Sequence, residues 1–232
     1  MIVENMTRDE LFKELAQDET WIVERVFGLQ KKYNKQLRNK NVKHLAVLGR
    51  TWYTTPNHNR VYCIIQKYIV DDKGKRSLPS VTSLYEYTDN SGIKRYLYTC
   101  FEGLKMKFVL NFSAHAMSRM KERIGKDIFG VFEDICVKND TTISIAPYTY
   151  NGNDDEFYTV IGGDIMAFIK YGDWGPCVIT IITKEQEKVN QLENHAFLKK
   201  HINELANNVA DMHTELTKNC KIFKQYCTVK SA

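Results

Sequence analysis

One stretch of this chain gathers the side chains of acid–base and phosphate chemistry. Residues 112–125 read Phe-Ser-Ala-His-Ala-Met-Ser-Arg-Met-Lys-Glu-Arg-Ile-Gly. On a helix turning about 100° per residue, His115, Arg119, Glu122 and Arg123 fall in one sector about 100° wide. Lys126 shares that sector but lies beyond Gly125. Ala116, Met117, Met120 and Ile124 fall on the other side. One face would pack, and the other would present an imidazole, two guanidiniums and a carboxylate. An imidazole in the first helical turn, where the helix dipole disfavours added positive charge, is favoured neutral and ready to accept a proton. Two arginines further along offer forked donors shaped for phosphate. The plain alternative is a solvated polar stripe, in which Arg119 and Glu122 form an ordinary surface pair worth about 0.2–0.5 kcal/mol.

The elements that must position these groups are readable from capping and turn signals. Ser113 is an N-cap for a helix from 114 to about 124, and Gly125 ends it. Asp127 caps a second helix, to about 138. Before this pair, residues 42–112 carry alternating, aromatic-rich runs with strands expected at 43–48, 60–70, 80–87, 94–101 and 105–112. Turn signals such as Asp89-Asn90-Ser91-Gly92 separate them and imply an antiparallel meander. After the pair, strands are expected at 141–147, 156–161, 164–171 and 176–183. Thr7-Arg8-Asp9-Glu10 fits a capping box for a short N-terminal helix to about Gln17. Asp18 or Thr20 would restart a second helix to about Asn39, with Trp21, Ile22, Val26 and Leu29 as its apolar stripe. Residues 185–232 read as a long C-terminal helix. The sum is α+β: helices at 1–41, a β-meander at 42–112, a helix pair with a curled antiparallel sheet at 113–184, and the helical tail. The sequence leaves open whether the two strand sets form one continuous sheet or two.

The helix motif Phe-x-x-His-Ala-x-x-Arg-Met-x-x-Arg-x-Gly resembles that of a RelE-related family of domains grouped with the barnase–EndoU–colicin–RelE ribonuclease toxins. Phe157-Tyr158-Thr159-Val160-Ile161-Gly162-Gly163 and Cys177-Val178-Ile179-Thr180-Ile181 are similar to the sheet that follows the helices in that family. The resemblance covers residues 112–184. It implies cofactor-free and metal-independent attack of an RNA 2′-OH on the adjacent phosphate, which needs a base, an acid and cationic stabilisation. In that chemistry His115 is the base or acid and Arg119 and Arg123 hold the phosphate. Lys170 stabilises charge and Thr180 orients substrate.

Charge distribution adds a second site and an objection. Seven bases (Arg25, Lys31, Lys32, Lys35, Arg38, Lys40, Lys43) face one acid, Glu24, between residues 22 and 45. Lys31, Lys32, Lys35 and Arg38 are the candidate nucleic-acid contacts, with a solvated helix end as the plain alternative. Residues 141–183 instead hold five acids against Lys170 alone, the wrong sign for an RNA surface unless the basic helix folds beside it. The chain has 232 residues, 43% hydrophobic and 26% charged, which excludes a disordered chain. No apolar run approaches the roughly 20 residues a membrane span needs, and no signal peptide is visible. The six cysteines lack Cys-x-x-Cys spacing, so free thiols in the cytoplasm are expected. His195, His201 and His213 do not converge as metal ligands on their helix. The leading expectation is a ribonuclease-like domain that binds or cleaves RNA. The alternative is a non-catalytic structural or protein-interaction module of phage or mobile-element origin that keeps the fold only; a protein partner or antitoxin is a further expected partner.

Overall fold

Thr7 and Glu10 close the expected capping box. The Glu10 carboxylate accepts from the Thr7 N–H at 2.8 Å, and the Thr7 hydroxyl accepts from the Glu10 N–H at 3.3 Å. In the computed structural model, which describes residues 1–43, 46–69, 77–102, 105–137, 144–146, 156–161 and 165–186, the helix begun there runs unbroken as α1 (Arg8–Gly28). The break expected near Gln17 is absent. Asp18 does not cap a helix: it is buried and accepts from the side-chain amides of Asn59 at 2.6 Å and Asn57 at 3.0 Å. The Thr20 hydroxyl donates back to the Ala16 carbonyl of its own helix. The chain steps at Leu29 instead and resumes as α2 (Gln30–Arg38).

Strands β1 (Val47–Thr54), β2 (Arg60–Ile69), β3 (Ser77–Thr88), β4 (Lys94–Glu102) and β5 (Lys105–Phe112) form the first meander. The first strand lies later than expected, taking in Trp52 and Tyr53. Helices α3 (Ala114–Ile124) and α4 (Ile128–Val137) follow, then β6 (Ser144–Ala146), β7 (Glu156–Ile161), β8 (Ile165–Gly172), β9 (Gly175–Thr183) and a 3-10 turn (Lys184–Gln186). The expected C-terminal helix lies outside the described residues. Among the described residues no helix is long and apolar enough to cross a membrane.

The fold is α+β, and the two strand sets make one nine-stranded sheet in the order β1-β2-β3-β4-β5-β9-β8-β7-β6. Every neighbour is antiparallel except β5 and β9. These meet in parallel, Asn111 opposite Cys177 and Phe112 opposite Val178.

Alternation along the strands assigns each side chain to a face. Ile64, Leu84, Leu110, Phe112, Ala167, Val178 and Ile181 pack under α3 and α4, where they meet Ala116, Met120, Val131 and Phe132. Val61, Cys63, Ile65, Tyr85, Leu97 and Val109 pack under α1 and α2. Leu11 and Leu15 of α1 are fully buried there, each worth about 1.5–3 kcal/mol. Four of the strand tyrosines are spent on packing. Tyr85 and Tyr87 fill the α1 side, whereas Tyr98 stacks near Phe132 and Tyr96 near Phe129.

Beneath α1 lies a buried polar cluster. Glu19 accepts from the hydroxyls of Thr99 at 2.8 Å and Ser83 at 3.1 Å. Among the described residues no cation answers it in an ion pair. Burial holds its carboxyl above the usual range, and burial likewise pushes the Cys63 thiol up to about 12.

Candidate nucleic-acid interface

Helix α3 is locally what its residues dictate. The Ser113 hydroxyl accepts from the Ala116 N–H at 3.1 Å, and Gly125 closes the helix at φ 72°, a left-handed conformation that favours glycine. Ala116 and Met120 are buried, and Met117 and Ile124 pack beside them. The helix is pinned to β9: Ser113 donates its N–H to the Val178 carbonyl and its hydroxyl to the Ile179 carbonyl.

The polar sector of α3 is largely engaged in holding that structure. Arg123 donates its guanidinium to the Ile181 carbonyl, extending the anchorage. Arg119 forms an ion pair with Glu122 at 2.5 Å, and its Nε stands 3.4 Å from His115 Nε2. His115 itself is exposed. Of the two guanidiniums expected to grip phosphate, one holds a backbone carbonyl and the other a carboxylate.

Lys170 and Thr180 are not brought to this cluster. Lys170 is the register partner of Cys177, which pairs with Asn111. Asn111 donates its side-chain amide to the Tyr87 hydroxyl, on the α1 face of the sheet. Thr180 pairs with Phe168 and alternates with Ile181, which packs under α3. Both residues therefore sit on the face opposite α3, with the sheet between them and His115. A one-residue register shift between Phe168 and Ile169 helps set this placement. The five residues implied by the ribonuclease resemblance do not share one cleft. Among the described residues, no three His, Cys, Asp or Glu side chains gather as metal ligands.

The basic run is placed differently. In α2 only Tyr33 and Leu37 are buried. Together with Ile22 and Val26 of α1 they lie at spacings of four, seven and four residues, so the buried face passes through the Leu29 step with little change of helical phase. Tyr33 reaches the sheet because Gly49 has no side chain: a Cβ there would collide with the Tyr33 hydroxyl. The C-terminal end of α2 is fixed by Lys67, a buried lysine on β2 that donates to the Asn39 carbonyl at 2.8 Å and the Val42 carbonyl at 3.0 Å. A cation at a helix C-terminus satisfies the exposed carbonyls and complements the dipole.

With Tyr33 and Leu37 turned inward, Lys31, Lys35 and Arg38 point out on the opposite side, about 10 Å from end to end. Lys32 flanks them, and Arg25, Lys40 and Lys43 extend the surface at both ends. All seven are exposed and none forms an ion pair among the described residues. Arg25 lies over the Trp21 ring and Lys32 over Tyr33. One further residue belongs to this face and was not a candidate from sequence: Phe27, 43% exposed, four residues before Lys31. The expected helix from Asp18 or Thr20 to about Asn39 already held it with the cations, but a lone phenylalanine adds nothing to a charge count. A wheel drawn through both helices puts Phe27 in the same sector as Lys31, Lys35 and Arg38.

The chain matches no family model, no curated protein and no solved structure. The likeness of residues 112–184 to the ribonuclease toxins rests on its motif alone.

Proposed function

We propose that this protein binds RNA through the outward face of α2, with Lys31, Lys32, Lys35 and Arg38 on the phosphates. The observation that carries the reading is the set of seven exposed cations, four on α2 and three flanking it, without a carboxylate partner among the described residues, with α2 docked by Tyr33, Leu37 and Lys67. Cations left unneutralised attract a polyanion, and phosphate neutralisation supplies most of the affinity of non-specific binding. The ridge itself selects a polyanion; the motif on α3 directs the choice to RNA.

The test is an anisotropy titration of labelled RNA at several salt concentrations. Wild type should bind with a strong salt dependence. Replacing Lys31, Lys35 and Arg38 by Gln should flatten the slope of log affinity against log salt by about 2, at roughly 0.7 per single-strand phosphate contact. Wild type that binds no RNA even at low salt would sink the reading and favour the protein-interaction module.

Cleavage is the second reading, favoured by the exposed imidazole of His115 with the Arg119 guanidinium beside it. It is tested by incubating RNA in chelator with wild type and with His115→Ala. Loss of cleavage in the variant alone supports it, and intact RNA in both leaves binding as the activity.

A further inference from the structure

We infer that the nucleic acid taken by this ridge is single-stranded, with one base stacked on Phe27 while its phosphates run along Lys31, Lys35 and Arg38. The inference rests on the RNA-binding reading above and says which form of RNA that face accepts.

The argument starts from what Phe27 lacks. Its ring is 43% exposed, and among the described residues it packs on no other ring and lies under no cation. The other rings nearby are used: Trp21 meets Tyr53 edge-on at 5.9 Å and carries Arg25, and Tyr33 is buried against β1. A lone exposed phenylalanine is unremarkable by itself. This one stands in register with a row of cations. Val23, Phe27, Lys31 and Lys35 recur at every fourth residue, and the unchanged buried phase across Leu29 keeps them on one outward face.

A π-face flanked by a line of positive charge is the arrangement that binds unpaired strands. Cations track the backbone, and a flat ring takes whichever base is presented. A duplex keeps its bases stacked inside and offers Phe27 nothing. An anionic membrane surface is the other chemistry that an aromatic among lysines could meet. Membrane-bound helices, however, lay a broad apolar face into the lipid. Here that face is Ile22, Val26, Tyr33 and Leu37, already buried against the sheet, and only Val23 and Phe27 are left outside. The observations favour the nucleic acid.

The experiment uses the full chain and three probes: labelled oligouridine of about ten nucleotides, an RNA hairpin stem of similar length, and phosphatidylserine-containing vesicles. Wild type should bind oligouridine more tightly than the stem and should leave the vesicles free. Phe27→Ala should weaken oligouridine binding roughly 5- to 100-fold with little effect on the stem. Phe27→Trp should restore it, with indole fluorescence quenched on titration. Phe27→Leu, which keeps apolar bulk without a π-face, should behave like Phe27→Ala. Because the side chain is exposed, all three variants should fold, and circular dichroism checks this. Equal binding of oligouridine and stem, unaffected by Phe27→Ala, would overturn the single-strand inference and leave the RNA-binding reading standing. Binding to vesicles but to neither RNA would overturn both.

Discussion

Helices α2 and α3 both carry a basic stripe, yet the fold treats them in opposite ways. On α3, Arg123 holds the Ile181 carbonyl and Arg119 holds Glu122. On α2, Lys31, Lys35 and Arg38 form no ion pair among the described residues. The difference lies in the neighbours. α3 lies close on β9, where Arg123 reaches a backbone acceptor, whereas α2 meets the sheet through Tyr33 and Leu37 and turns its cations outward. A stripe of charge thus signals a binding surface only after the fold has removed its internal partners.

The contrast can be broken most severely by reversing charge on α2. Lys31→Glu, Lys35→Glu and Arg38→Glu together should lower RNA affinity by about 100-fold or more near physiological salt, read by anisotropy. The fold should be retained, since all three side chains are exposed. Gly49→Ala comes next. It drives a methyl group into the Tyr33 hydroxyl, and overpacking of this kind costs about 1–3 kcal/mol. The denaturant midpoint should fall, and RNA affinity should fall with it as α2 loosens. Arg123→Ala sharpens the comparison from the other side. It removes a charged donor from the Ile181 carbonyl and should cost about 1–2 kcal/mol of stability, while leaving RNA affinity unchanged. Arg119→Ala should move neither quantity measurably, because exposed pairs are worth about 0–1 kcal/mol.

Acidity separates the two layers as well. Burial raises the Glu19 carboxyl in the folded state, so folding favours its neutral form. That contribution is whole below the unfolded carboxyl's value, about 4.5, and is lost as pH rises toward the raised folded value. Glu19→Gln should therefore raise Tm at about pH 8 and change it little at about pH 4. Equal shifts at both values would mean that Glu19 titrates normally.

Where local chemistry decides structure, the chain could be read directly. Ser113 and Gly125 delimit α3, Thr7 and Glu10 start α1, and β7 runs over 156–161 as the alternation indicates. Structure departs from the local signals where distant residues decide. Asp18 has the composition of a cap, but its partners are Asn57 and Asn59, some forty residues away in the chain. Lys170 and Thr180 lie on strands as expected. Their face, however, depends on how β9 registers with β5 and on the irregularity at Phe168, neither of which is written locally. The candidate cations of α2 were legible from charge counting, whereas Phe27 was not, because its exposure is set by how α1 packs on the sheet.

The seam between β5 and β9 carries a consequence for how the chain assembles. Two register pairs join five strands to four, and the bond beside them, from the Ser113 hydroxyl to the Ile179 carbonyl, spans a sequence separation of 66 residues. Each hairpin can zip from its own turn, but this junction must wait for a long loop to close, at a large entropic cost. Refolding should therefore proceed as two fast local events followed by one slow union, and a force pulling the termini apart should part the molecule first along that line.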